Sequence, residues 1–405
     1  MFYLIKLYHY MENLFNYNWE LCKLSTEFEK VNERNDGSLG KEHWISVAKM
    51  YFQNPDKVQS NNIDTRTYVM RTGDIAFEGH PNKEFKFGRF VANDIGTGVV
   101  SELFPIYRHK QEYDNYYWKN AIQIERVMGP IFAKSITSSG NSSNKLDPNH
   151  FLRQQVFIPK LEEQKKIGLF LKKLDDTITL HQRKLDQLKE LKKAYLKAML
   201  ISMNTKNNKV PKLRFADFEG EWDQRKFKAF SKKTGKKNSQ NLNYPAYSVS
   251  NKSGLISQSE QFNGNRLDTL EKHSYKIVEP YEFAYNPARI NVGSIAFNTL
   301  GKPVIVSSLY VVLQMEDNLN NDFILQFIKS PAFVREVKRN TEGSVREYLF
   351  YENFANIKFP YTKNIKEQQK IGAFFKKSDD TIALRQNKLN QLKALKKAYL
   401  QNMFI

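Results

Sequence analysis

Residues 162–201 read EEQKKIGLFLKKLDDTITLHQRKLDQLKELKKAYLKAMLI, and residues 366–405 repeat them as KEQQKIGAFFKKSDDTIALRQNKLNQLKALKKAYLQNMFI. The copies align without a gap over a period of 204 residues, with about two-thirds of positions identical. That period is far longer than a solenoid repeat, so the duplicated piece is a globular domain plus a helix. Two similar halves present two similar surfaces, which suits a ligand with two comparable sites.

Both copies predict long helices. Pro159 and Pro360 precede them, where proline ends an extended segment. Glu162 and Glu163 fall in the first turn of the first copy and Lys192, Lys193 and Lys197 near its end, complementing the helix dipole. A seam runs through Leu174, Ile178, His181, Leu185, Leu188, Lys192, Tyr195 and Met199 in alternating steps of four and three. Its copy runs through Ser378, Ile382, Arg385, Leu389, Leu392, Lys396, Tyr399 and Met403. This is a coiled-coil pattern, with polar residues at matching places (His181 with Arg385, Lys192 with Lys396) where they cost stability and fix register.

Four blocks follow: a first globular domain (1–155), a first spacer helix (156–203), a linker and second globular domain (204–358) and a second spacer helix (359–405). The linker, residues 204–214 (NTKNNKVPKLR), is polar and contains proline. It is short, so the second helix must run back along the first, and the pair is expected to be antiparallel with one domain at each end. About 37 residues at 1.5 Å each give a rod of roughly 55 Å. Domains overlapping its ends would face DNA about one helical turn apart, roughly 34–36 Å. Strands are expected at 71–77, 89–92 and 99–107 in the first domain and at 275–278, 282–285 and 303–313 in the second. The domains echo each other faintly: Trp19 and Trp222 each precede a lysine by four residues, GDIAF (73–77) echoes YEFAY (281–285), and VVS (99–101) echoes IVS (305–307). The expected class is α+β: a fixed helical frame carrying two distinct mixed α/β readers.

Composition agrees. The 405 residues are enough for two or three cores. Sixty-three Lys and Arg against 43 Asp and Glu give a formal charge of +20, and the pI is near 9.6. That balance points to a polyanion, nucleic acid ahead of an acidic membrane; the alternative is a lysine-rich, solvated surface. The single cysteine, Cys22, excludes an internal disulfide and any multi-cysteine zinc site and suits a reducing cytosol. The apolar start MFYLIKLYHYMENLF carries Lys6, His9 and Glu12, is too short to span a bilayer and shows no cleavage signal. It is expected to belong to the first domain or to form an irregular start.

A domain followed by a helix carrying P-x-x-x-EQ-x-x-IG, all of it duplicated, resembles the specificity subunit of type I restriction-modification systems. The match rests on EQKKIG (163–168) and EQQKIG (367–372), on DDTI at 175–178 and 379–382, on PKLRF (211–215) with Glu221-Trp222, and on AYNPARINVG (284–293). It covers nearly the whole chain; the first half lacks a counterpart of Pro211–Phe215. The resemblance implies a non-catalytic, cytoplasmic subunit whose two target-recognition domains each read half of a bipartite, asymmetric DNA site. It implies that the helical pair spaces the half-sites and docks two DNA adenine methyltransferase subunits, joined by restriction-translocase subunits. S-adenosylmethionine, ATP and Mg are then expected on those partners and none on this chain.

Enzyme motifs are weak. Asn286-Pro287-Ala288-Arg289 lacks the second proline and the aromatic of an amino-methyltransferase motif. Gly96-Thr97-Gly98 is a lone glycine pair. The seven histidines show no ligand spacing. Asp175-Asp176 and Asp379-Asp380 read as solvated ion pairs, for example with Lys172 one turn away. The lysine runs on the helices admit a solvated face, a phosphate track or a docking surface; charge all round the helix favours the first with some docking. Readout is expected from loops that mix Gly, Asn and basic residues: 79–89 and 137–145 in the first domain, and 251–253, 263–266, 286–291 and 343–346 in the second. The residues singled out are Lys83, Lys86, Arg89, Asn141 and Lys145, then Lys252, Arg266, Tyr285, Arg289, Asn291 and Arg346.

Overall fold

The duplicated segments are helices of 39 residues each, Leu161–Met199 and Ile365–Met403. Both are built mainly from Leu, Lys, Gln and Ala, strong helix formers without an internal proline. The second is capped by Asn364, whose side chain accepts the amides of Lys366 and Glu367. The computed structural model describes residues 19–58, 66–139, 143–200, 209–251, 254–261, 272–341 and 348–404. The chain divides into two units, residues 1–182 with 387–405 and residues 183–386, so each unit holds the start of one long helix and the end of the other.

In the first unit the strands are β1 (Glu20–Lys23), β2 (Phe28–Val31), β3 (Ile45–Ser46), β4 (Tyr51–Phe52), β5 (Thr67–Met70), β6 (Ile75–Glu78), β7 (Arg89–Ala92), β8 (Gly98–Ser101), β9 (Ile106–His109), β10 (Ile136–Ser139), β11 (Asn144–Leu146) and β12 (Gln155–Ile158). A four-stranded antiparallel sheet runs β2-β9-β6-β7, with pairs β1-β12, β3-β4, β5-β8 and β10-β11 around it. The second unit has β13 (Asp223–Lys226), β14 (Ser231–Lys233), β15 (Tyr247–Ser250), β16 (Gly254–Ser257), β17 (Lys276–Val278), β18 (Phe283–Tyr285), β19 (Ile295–Phe297), β20 (Val304–Val306), β21 (Val311–Met315) and β22 (Lys358–Tyr361). Its sheet runs β14-β21-β18-β19, with pairs β13-β22, β15-β16 and β17-β20. The topology is the same strand for strand. The hairpin β10-β11 has no counterpart among the described residues, and 342–347, where one would fall, lie outside them.

The inner strands of both sheets are buried on both faces, which is why they read as apolar runs rather than alternating ones. Ile75, Phe77, Phe90 and Tyr107 enter an aromatic core, while Ala76, Val91 and Ile106 face a second cluster. Phe283, Tyr285, Ile295 and Leu313 enter the larger core of the second unit, with Ala284, Ala296 and Val312 behind. The runs expected as single strands at 99–107 and 303–313 are each broken by a turn. Ser101 Oγ accepts the Leu103 amide and Ser307 Oγ the Leu309 amide, a side-chain-stabilised turn that periodicity alone does not show.

Each core rests on both long helices. In the first unit Ile167 and Leu171 pack with Tyr399 and Met403; in the second, Met199 and Leu200 pack with Ile371 and Phe375. The pairing is antiparallel within each unit. Phe170 and Asp175 meet Tyr399 and Lys396, and Lys192 and Tyr195 meet Asp379 and Phe374. Among the described residues no helix is long and apolar enough to cross a membrane.

Candidate nucleic-acid interface

The recognition domains are fixed to the helices by the motif that the two copies share. Gln164 is buried; its Nε2 donates to Pro159 O at 3.0 Å and its Oε1 accepts the Asp114 amide at 3.3 Å. Gln368 does the same, donating to Thr362 O at 2.8 Å and accepting the Asn320 amide at 2.8 Å. Asp114 and Asn320 cap the helices Asn115–Ala121 and Asn321–Ile328. Gly168 and Gly372 admit those caps. A Cβ on Gly168 would lie 2.0 Å from Asp114 Oδ1, and one on Gly372 would lie 2.8 Å from Asn320 Oδ1. The motif therefore clamps a strand end and a domain helix to each long helix. The sequence shows the glutamine and the glycine in both copies but gives no hint of their contacts.

Two more duplicated devices were not legible as functional. Asn35 and Asn238 each bridge the residue four ahead through both side-chain ends, at Leu39 and Leu242. Asn93 and Asn298, fully buried, each donate to two carbonyls and accept one amide. These fix the loops around the sheets, and only the pairwise match of the folded domains reveals them.

In the first unit the structure unites the two expected readout loops. The Asn144 amide donates to Gly79 O at 2.9 Å and its side chain to Phe87 O at 3.1 Å. Gly79 is required there, since a Cβ would lie 2.2 Å from Asn144 O. Lys83, Lys86 and Lys145 are exposed on this joined surface. Arg89 is turned inward: it donates to Ala48 O at 2.5 Å, lies 3.5 Å from Glu78 and stacks over Phe85. Asn141 lies outside the described residues.

In the second unit Arg289 is exposed and Asn291 partly so, on the turn that follows β18. Asn286 Oδ1 accepts the Ala288 amide, making Asn286–Arg289 a side-chain-stabilised turn as expected. Ser294 Oγ bonds Val249 O and the Leu349 amide bonds Pro287 O, so this turn, the β15-β16 hairpin and the segment entering at 348 converge. Tyr285 corrects the expectation. Its ring is fully buried and its hydroxyl donates to Leu349 O at 3.0 Å, so it pins that convergence from inside and presents nothing to a ligand. Lys252, Arg266 and Arg346 lie outside the described residues.

Along the seam Leu185, Leu389, Met199, Tyr399 and Met403 are buried, and Leu174, Ile178, His181, Leu188, Lys192, Tyr195, Ser378, Ile382, Leu392 and Lys396 partly so. Arg385 is exposed, so its charge stays in water rather than setting register. The seam lysines are answered across the helix pair. Lys396 lies 2.7 Å from Asp175, and Lys192 2.5 Å from Asp379, at equivalent places in the two units. Asp175 also accepts the Tyr116 hydroxyl at 2.7 Å. These aspartates are thus interhelical partners rather than solvated members of their own helices. Gly96, expected to hold no cofactor, takes φ 125 in a loop where its carbonyl accepts from Asn93.

A family model described as the type I restriction modification DNA specificity domain matches residues 96–190 and 221–394. Among solved structures, the type I restriction-modification system S subunit from M. genitalium is similar over 96% of this chain and 97% of that one, at 13% identity and TM-score 0.59. A chain from a structure described as the basis of complex assembly and conformational transition of the type I R-M system is similar over 94% and 96%, at 14% identity and TM-score 0.51.

Proposed function

Because the chain belongs to the type I restriction-modification DNA specificity family, we propose that its two globular domains each read one half of a bipartite, asymmetric DNA site. The observation that supports this is one duplicated topology, held to the two helices through the same glutamine and glycine, together with unlike sequences in the expected readout loops. In this reading the shared frame serves what both halves meet alike, and the unlike loops serve two unlike half-sites. The helical pair spaces the half-sites and docks two adenine methyltransferase subunits, with restriction-translocase subunits joining them. The chain itself supplies binding and no catalysis. S-adenosylmethionine, ATP and Mg act on the partner subunits, in the cytoplasm. Exposed lysines supply the salt-dependent phosphate contribution, and loop side chains the base contacts.

The test is to exchange this chain for a homologue in a host that retains the partner subunits and to map modified adenines genome-wide. A changed two-part motif is expected. A single uninterrupted motif, or modification indifferent to the exchange, would overturn the reading.

A further inference from the structure

The shared topology allows residues of the two domains to be matched by register, and one matched stretch differs in charge. From β2 the first unit reads EKVNER at 29–34; from β14 the second reads KKTGKK at 232–237. The match is fixed by backbone. Arg34 bridges Tyr68 as Lys237 bridges Lys276, and the Asn35 and Asn238 amides that follow donate to Thr67 and Tyr275.

In the first unit this turn is neutralised by its surroundings. Arg34 lies 2.7 Å from Glu102 and over the ring of Tyr68, while Glu33 takes Arg71 and Arg108 at 2.5 and 3.0 Å. In the second unit Ser308 stands in the place of Glu102, Gln314 in that of Arg108 and Lys276 in that of Tyr68. Lys233 reaches Glu352 at 3.2 Å. Lys232, Lys236 and Lys237 are exposed and make no ion pair among the described residues. No carboxylate lies within ion-pair distance of these three among the described residues, although exposed Glu279 is near. Glu279 and Glu282 line a shallow groove of about 480 Å³ with Lys233 and Lys236, but Glu282 is buried and accepts the Glu279 amide. Lys276 donates to Tyr310 O at 2.6 Å, and burial, with Lys233 and Lys237 beside it, lowers its pKa. Gly235, at φ 83, holds the turn against β21, where a Cβ would lie 2.6 Å from Val312 Cβ. Like charges held on one short turn repel one another until an anion answers them.

We propose that the turn 232–237, with Lys276 beside it, is a phosphate-binding anchor for the DNA backbone that the second domain has and the first lacks. The inference rests on the reading of the chain as a DNA-specificity subunit. It makes the second domain the stronger non-specific holder, and leaves the first more dependent on its base contacts.

The test uses the full chain, alone and with co-expressed partner subunits, on a random-sequence duplex over a salt series. Each phosphate contact adds about 0.9 to the slope of log affinity against log salt, so K232Q/K236Q/K237Q should lower the slope by about 2–3 and weaken binding roughly tenfold at physiological salt. The comparison variant K228Q/K338Q/K358Q, which removes three exposed lysines of the same domain outside the turn and outside every expected readout loop, should leave the slope unchanged. Equal slopes in the turn variant and the unaltered chain overturn the anchor alone, as do equal losses in both variants. Weakened hold on the partner subunits with an unchanged DNA slope would assign the turn to a protein contact instead. An unaltered chain without salt-dependent DNA binding overturns the anchor together with the reading it rests on.

Discussion

The same glutamate in the two copies of the helix motif is held by different chemistry. Glu367 is fully buried, takes the Arg214 guanidinium through both oxygens at 2.7 and 2.9 Å, and accepts the Thr362 hydroxyl. Glu163 is partly buried, and its partner among the described residues is the indole N–H of Trp19 at 3.2 Å. Trp222, which stands where Trp19 stands, is buried with its N–H unbonded among the described residues. The sequence foreshadows the difference, since Pro211–Phe215, which contains Arg214, has no counterpart in the first half. Duplication therefore kept the geometry of the clamp but not its partners, and the clamp of the second unit is the more electrostatically committed of the two.

The largest way to break this comparison is Arg214→Leu. It strands a buried carboxylate and should destabilise the second unit by about 3–5 kcal/mol. Glu163→Gln, which weakens one hydrogen bond, should cost the first unit about 1 kcal/mol. Because two units unfold, the effects should be read by hydrogen exchange in each rather than from one melting curve. Equal losses would mean that the two anchors are equivalent after all. R214L/E367L, which removes both charges, should recover part of the loss.

A smaller contrast lies in the glycines. Gly168→Ala should cost about 2–3 kcal/mol, because its methyl would displace the Asp114 carboxylate that caps Asn115–Ala121. Gly372→Ala, with its nearest neighbour 2.8 Å away, should cost about 1–2 kcal/mol. Exchange rates of the two capped helices report both; a larger effect at Gly372 would contradict the geometry.

A further contrast is in pH response. His109 is stacked on Tyr113, neither ring nitrogen is bonded among the described residues, and burial pushes its pKa down to about 3 from 6.5. Met315 takes its place in the second unit. The fold holds the neutral ring, so the unfolded chain binds the proton first. This contribution is whole above about pH 6.5 and falls as the pH drops toward 3, at about 1.4 kcal/mol per unit. At pH 5 the first unit should have lost about 2 kcal/mol that the second keeps, and His109→Met should remove the difference. An equal acid response of both units in hydrogen exchange would exclude this origin.

The helices and their seam were legible because periodic burial along a helix reports directly on what it packs against, and their direction because the linker that follows the first helix is short. The strands at β7, β17 and β18 were close to expectation, since a strand covered on both faces leaves an apolar run; β6 starts only at Ile75, after a turn where the expected strand began at 71. The turns that split β8 from β9 and β20 from β21 were not, because a serine hydroxyl and one main-chain bond close each. The readout residues were the least legible. Lys83, Lys86, Lys145 and Arg289 are exposed as expected, whereas Arg89 is committed inward and Tyr285 is sealed in the core. Composition ranks a residue as able to bind DNA; it does not say whether another part of the chain has already taken that side chain.

By itself the sequence determined that the chain is a duplicated domain-plus-helix, that the helices pair in opposite directions, and which family it joins. Repetition and periodicity are properties of order along the chain. Tertiary structure alone decided that Asp175 answers Lys396, that Gln164 and Gln368 grip the domain helices, that Asn144 is joined to the loop 79–89, and that the turn at 29–34 is neutralised while three lysines of its twin have no ion pair among the described residues. Those outcomes join residues far apart in sequence, and only packing selects which distant partner comes within hydrogen-bond reach.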